Sequence, residues 1–166
     1  MTTNTRKEHQ GKKPILLGCL AILGGGVALI CCGGLGLLVI EGEMPDGLHA
    51  DLRAPLSCAL DTPCIVTVTA TNDTPDDHMV RDVDLGDGYH QGFVIGNTEP
   101  GLTDYFEGAA TGAMNLRFEA DLPAGTTRDI TIELIPVELG RWSGSVDICF
   151  DNASRCVGKP ISTVVE

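Results

Sequence analysis

An all-β domain behind one membrane span is what the sequence predicts, on three observations. Residues 14–40 form 27 consecutive positions without a charge. Beyond residue 50 the apolar residues fall into short runs that alternate with polar ones, with no helical period. Clusters of Gly, Pro, Asn and Asp punctuate those runs.

The chain has 166 residues and a formal net charge of -12, unevenly spread. Residues 1–13 carry +3, through Arg6, Lys7, Lys12 and Lys13 against Glu8, whereas residues 41–166 carry 22 acidic and 7 basic side chains, a net -15. So acidic a domain repels nucleic acid, whose binding needs Lys and Arg to displace counterions, so no nucleic-acid partner is expected. It favours cations or basic partners instead.

A span needs about 20 apolar residues to cross about 30 Å of hydrocarbon. A signal peptide needs an apolar stretch of only about 7–15 residues and a small-x-small cleavage site. The run from Pro14 to Ile40 is longer than that, and Glu41-Gly-Glu43-Met-Pro45 follows it instead of such a site. Leu16-Leu17-Gly18-Cys19 matches a bacterial lipobox. Only Pro14 to Gly18 separate it from the last Lys, and the long apolar run follows Cys19, where a lipoprotein has a polar tether. The reading taken is therefore a retained helix over 14–40 embedded in membrane lipid, with Cys19 lipidation the competing one. Basic residues before the span and Glu41, Glu43 and Asp46 after it place the N-terminal tail in the cytoplasm and the remainder outside the cell membrane. Gly24, Ala28, Cys32 and Gly36 recur every four residues, a spacing at which small side chains let two helices approach. Seven Gly, two Ala and three Cys in this stretch make such a row unsurprising by chance.

Residues 41–50 read as a polar linker, and 51–166 as the outer domain. Cys64 to Thr71 is the clearest strand, with Val66, Val68 and Ala70 facing inward and Thr outward. Asn72 to Asp77 is a turn; Val80 to Leu85 is the next strand. Gly86-Asp87-Gly88 interrupts, and Gly92 to Ile95 resumes. Asn97 to Ala113 is expected to be the longest irregular connection. Met114, Leu116, Phe118 and Ala120 alternate in a fourth strand; Leu122 to Gly125 turns; Ile130, Ile132 and Leu134 alternate in a fifth. After Gly140, Trp142, Gly144, Val146, Ile148 and Phe150 alternate in a sixth, and Ile161 to Val165 closes the chain. Ala54 to Leu60 is a candidate first edge strand. Seven to eight short strands in about 115 residues is the pattern of an immunoglobulin-like antiparallel β-sandwich.

Three stretches carry a resemblance. Val66-Thr-Val68-Thr-Ala70-Thr-Asn72, Leu122-Pro-Ala-Gly-Thr-Thr-Arg-Asp-Ile-Thr-Ile132 and Gly140-Arg-Trp-Ser-Gly-Ser-Val-Asp-Ile148 resemble strand and turn signatures of bacterial CARDB-like immunoglobulin-like domains. The resemblance spans roughly residues 50–166. It implies a cell-surface binding or adhesion module and no particular activity. The single copy and the two cysteine pairs depart from that pattern.

The outer domain has four cysteines, Cys58, Cys64, Cys149 and Cys156, and an even number outside a membrane argues for disulfides. A turn signal lies between the members of each near pair, so Cys58–Cys64 and Cys149–Cys156 are the expected bridges. An inter-sheet Cys64–Cys149 bridge fits less well, because Val146, Ile148 and Phe150 claim the inward face and leave Cys149 outward. A four-cysteine zinc site lacks the usual spacing.

Nothing in the chain has the spacing of a catalytic motif: no Gly-x-Ser-x-Gly, His-Glu-x-x-His, Cys-x-x-Cys or phosphate loop. No enzyme and no cofactor are expected. Asp82, Asp84 and Asp87 approximate a calcium loop, but the third Asp is one place late and Phe93 stands where the closing Glu belongs. They remain weak calcium candidates. His78 and His90 qualify as ligands only if the fold joins them. Asn72-Asp-Thr74 and Asn152-Ala-Ser154 fit the N-glycosylation pattern. The expectation is a single-pass membrane protein whose outer domain binds a protein partner or a second copy, through an exposed sheet face, a sheet edge or the connection from Asn97 to Ala113. Its alternative is an accessory subunit of a membrane complex that packs through the Gly-rich helix.

Overall fold

The computed structural model describes residues 44–109, 111–152 and 154–166. The span at 14–40, its row of Gly24, Ala28, Cys32 and Gly36, and Cys19 all lie outside the described residues. Among the described residues no helix is long and apolar enough to cross a membrane.

In chain order the elements are β1 (Leu48–Arg53), β2 (Ser57–Cys58), β3 (Cys64–Asn72), β4 (His78–Leu85), α1 (Asp87–His90), β5 (Phe93–Glu99), β6 (Asp104–Glu107), β7 (Met114–Leu122), β8 (Thr126–Pro136), β9 (Gly140–Phe150) and β10 (Cys156–Val165). They form two sheets, β1-β3-β8-β5 and β2-β10-β9-β4-β7-β6. Pairing is antiparallel except between β10 and β2, which run parallel at Val164–Ser57 and Val165–Cys58.

The alternation explains why these two sheets close on each other. Val66, Val68 and Ala70 on β3 and Ile130, Ile132 and Leu134 on β8 are wholly buried, and they face Leu116, Phe118, Val146, Ile148 and Phe150 from the other sheet in one core. Burying each of the Val, Ile, Leu and Phe side chains contributes about 1.5–3 kcal/mol. The partners across β3 and β8 are in register, Val66 with Ile132 and Val68 with Ile130. Outward, Thr71 and Thr127 share a hydrogen bond at 3.2 Å, and Thr69 donates to Asp129 at 2.7 Å. The Thr row thus forms a hydrogen-bonded outer face instead of a frayed one.

Four expectations need correction. The first strand starts at Leu48, inside the stretch read as linker, because Leu48 and Ala50 are buried between exposed His49 and Asp51. The candidate edge strand at 54–60 shrinks to the two residues of β2. The connection 97–113 contains the end of β5 and all of β6, whose four residues are exposed and so carry no alternation to read. A single helical turn, α1, fills the interruption at residues 87–90.

The two ends of the sandwich differ. The chain enters beside the β3–β4 turn, where Asp73 N donates to Gly47 O at 2.8 Å. The β7–β8 turn and the start of β10 share that end. The opposite, distal end carries α1, the β2–β3 loop and the β8–β9 turn, tied by Asp61 N to Pro136 O at 3.0 Å and Val137 N to Gly92 O at 2.9 Å.

Candidate functional site

Each expected disulfide is present, one at either end of the sandwich. Cys58–Cys64 fixes the β2–β3 loop. Cys149–Cys156 joins directly opposed residues of β9 and β10, with Cα atoms 4.0 Å apart. Cys149 is buried, yet it stands outside the apolar core cluster, as the alternation of β9 requires.

The acidic candidates do not converge. Asp82 is buried on the outer face of β4, held by Arg117 Nε at 3.2 Å and Arg81 Nε at 3.4 Å. Asp84 accepts from Asn115 Nδ2, and Asp147 is its register partner on β9. Burial, then the negative charges of Asp82 and Asp147, push the Asp84 carboxyl up to about 6, against the opposing effect of the Asn115 bond. Asp87 lies on α1 and accepts from Gln91. Among the described residues no three His, Cys, Asp or Glu side chains are grouped to hold a metal ion.

The histidines are separate too. His78 Nδ1 is 2.8 Å from Asp151 Oδ2, and Asp151 Oδ1 also accepts from Met79 N, so this contact pins the β9–β10 turn to β4. His90, at the other end, is buried on α1 with Nδ1 3.4 Å from Gly86 O. Asn72 is fully buried; its Nδ2 donates to Asp76 O and Leu122 O, and its Oδ1 accepts from Thr74 N and Oγ1. That side chain is an internal staple between two turns, not a glycan acceptor.

The sequence offered a sheet edge and the connection 97–113 as surfaces, but not the cavity at the distal edge. β5 ends one sheet and β6 ends the other, so each has one strand edge with no partner strand among the described residues. Between them opens a cavity of about 300 Å³. Phe93, Ile95 and Gly96 of β5 line one wall, and Tyr105 of β6 with Met114 of β7 the other; His90 and Leu102 contribute too. The wall is built locally. Phe93 stacks on buried Tyr89 with ring centroids 4.9 Å apart, and Tyr89 is fixed by a 3.0 Å hydrogen bond to Thr163. Burial raises the Tyr89 hydroxyl above its ordinary range, so it stays protonated and able to donate. Beyond Ile95 the β5–β8 register shifts and pairing resumes at Thr98–Ile132, an irregularity that bends β5 beside the cavity.

One carboxylate borders this cavity. Glu107 is the register partner of Met114 and shares the face of Tyr105. Among the described residues it is paired with no cation. The Glu133 carboxylate lies against Gly96 on the outward face of β8, between buried Ile132 and Leu134. Exposed apolar side chains surround the same end: Leu56 (86%), Leu139 (60%), Val94 (52%) and Val137 (46%), with Tyr105 itself 63% exposed. Single exposed apolar residues are ordinary on a folded protein.

No family model matches the chain, and no curated protein matches it. Among solved structures it is similar to the CARDB domain of a Pyrococcus furiosus protein crystallised with di-metal ions, at 9% identity and a TM-score of 0.43, covering 75% of this chain and 94% of that one. It is also similar to part of a GH20 exo-β-N-acetylglucosaminidase from Vibrio harveyi (12% identity, TM-score 0.36, 72% of this chain) and of a Vibrio cholerae protease (8% identity, TM-score 0.38, 73% of this chain). The chain spans only 18% and 32% of those two proteins.

Proposed function

We propose that this protein is a single-pass, membrane-anchored binding module. Residues 14–40 hold it in the cell membrane with the N-terminal tail in the cytoplasm, and an immunoglobulin-like domain outside engages a protein partner through its distal end. It carries out no chemistry of its own. The observation that supports this reading is the concentration of a cavity and exposed Leu56, Val94, Tyr105, Val137 and Leu139 at the end opposite the point where the chain enters the domain.

The second reading, an accessory subunit that packs through the Gly-rich helix, rests on the row of Gly24, Ala28, Cys32 and Gly36. One experiment separates the two. Full-length protein is extracted in mild detergent, and the size of its complexes is compared between Tyr105→Asp/Leu139→Asp and Gly24→Leu/Gly36→Leu. Loss of the complex in the distal variant alone supports the binding module. Loss in the helix variant alone supports the subunit.

A further inference from the structure

The distal edge also says what kind of partner fits. We infer that the gap between β5 and β6 takes an extended, basic segment of another protein, which adds as a strand to the free edge of β5 and seats one apolar side chain in the cavity. This inference rests on the binding-module reading and names the chemistry of its ligand.

Three observations carry it. First, β5 has a free edge, regular over Phe93–Ile95 before its register shift. Val94 and Gly96, on its outward face there, bear no charge, and Val94 is half exposed. The free N–H and C=O groups of such an edge template another strand. β6 across the gap is the shorter edge, four residues against seven, so strand addition is directed to the regular start of β5. Second, a cavity of about 300 Å³ is too small for a large cofactor and suits one or two side chains. Its lining by Phe93, Ile95, Leu102 and Met114 selects an aliphatic or aromatic one. Added strands gain affinity from main-chain hydrogen bonds and specificity from pockets that accept alternate side chains, the arrangement found here. Third, the charge is one-sided. Glu107 borders the cavity with no cation partner among the described residues, and the domain around it is -15 over residues 41–166. Lys or Arg on either side of the anchoring residue matches that field; a second copy of this acidic chain would be repelled by it.

The test uses the full chain in nanodiscs of zwitterionic phosphatidylcholine, so that a basic peptide has no anionic lipid to bind. The probe is a fluorescein-labelled seven-residue peptide of alternating Lys and Leu, read by anisotropy. Replacing its Lys by Glu, its central Leu by Gly, or its alternate amides by N-methyl amides should each weaken binding about tenfold or more. Glu107→Lys should weaken it about tenfold, whereas the same charge change at exposed Asp121, at the other end of β7, should leave it within about twofold. Equal weakening by Glu107→Lys and Asp121→Lys would reduce the interaction to diffuse charge attraction and overturn the inference. So would undiminished binding of the N-methylated peptide, or self-association of the protein through β5 that the peptide does not compete. If no peptide binds but Tyr105 still contacts a partner in membranes, the inference falls and the binding-module reading stands. If neither occurs, both fall.

Discussion

The Trp142 indole lies against the backbone of Gly92, and its ring occupies the space where a Cβ on residue 92 would stand. The ring is held there by its own Nε1, which donates to Glu138 O at 3.0 Å. This contact joins β9 and the β8–β9 turn to the residue that precedes β5. Gly92→Val should displace the ring and destabilise the domain by about 1–3 kcal/mol through overpacking. Chemical denaturation checks the loss, and Trp fluorescence should report the displaced indole directly.

Asn72 offers a second test. Its side chain holds the β3–β4 turn to the end of β7 through Asp76 O and Leu122 O. Asn72→Ala leaves buried backbone acceptors without their donor. The expected loss is about 1–3 kcal/mol, read as a lower denaturation midpoint. Asn72→Asp keeps the bonds from Thr74 but faces two carbonyls with a charge, and should destabilise at least as much.

Asp84 gives the pH dependence. Its folded value of about 6 lies above the ordinary 3.8, so between those values the folded state binds the proton more tightly than the unfolded one. Its contribution therefore favours folding below about pH 4 and is lost as pH rises through about 6. Asp84→Asn removes the charge, so it should stabilise the domain above pH 6 and flatten this part of the profile. The effect is moderated because Asp84 retains contact with solvent. Thermal melts of both proteins from pH 4 to pH 8 check the sign.

Reduction of the two disulfides should act locally. By loop closure each constrains the unfolded chain by about 2–3 kcal/mol. Cys149→Ala/Cys156→Ala should lower stability without changing binding at the distal edge, because that bridge sits at the opposite end. Cys58→Ala/Cys64→Ala should loosen the β2–β3 loop that carries exposed Leu60. Binding assays beside melting curves separate the two pairs.

Much of the sandwich was legible because its strands bury one face and solvate the other. Val66, Val68 and Ala70, or Ile130, Ile132 and Leu134, announce their face by period alone. Cys149 was legible in the same way, since its neighbours Ile148 and Phe150 fix the inward face and leave it to its hairpin partner. The distal cavity was legible only as a sheet edge or the connection 97–113, not as a cavity. Tyr105 and Phe106 on β6 are both exposed, so the strand lacks alternation, and the cavity wall joins residues of β5, β6 and β7 that only pairing brings together. Asp82, Asp84 and Asp87 show the converse. They are close in sequence, but the strand and the helical turn send them to different partners.

The most direct measurement is site-specific photo-crosslinking of the full-length protein in its own membrane, with benzoylphenylalanine in place of Tyr105 and, separately, of Asp121. The account predicts a discrete adduct from position 105, abolished by Leu139→Asp, and none from position 121. Equal adducts at both positions, or an adduct at 121 alone, would contradict a binding surface at the distal end.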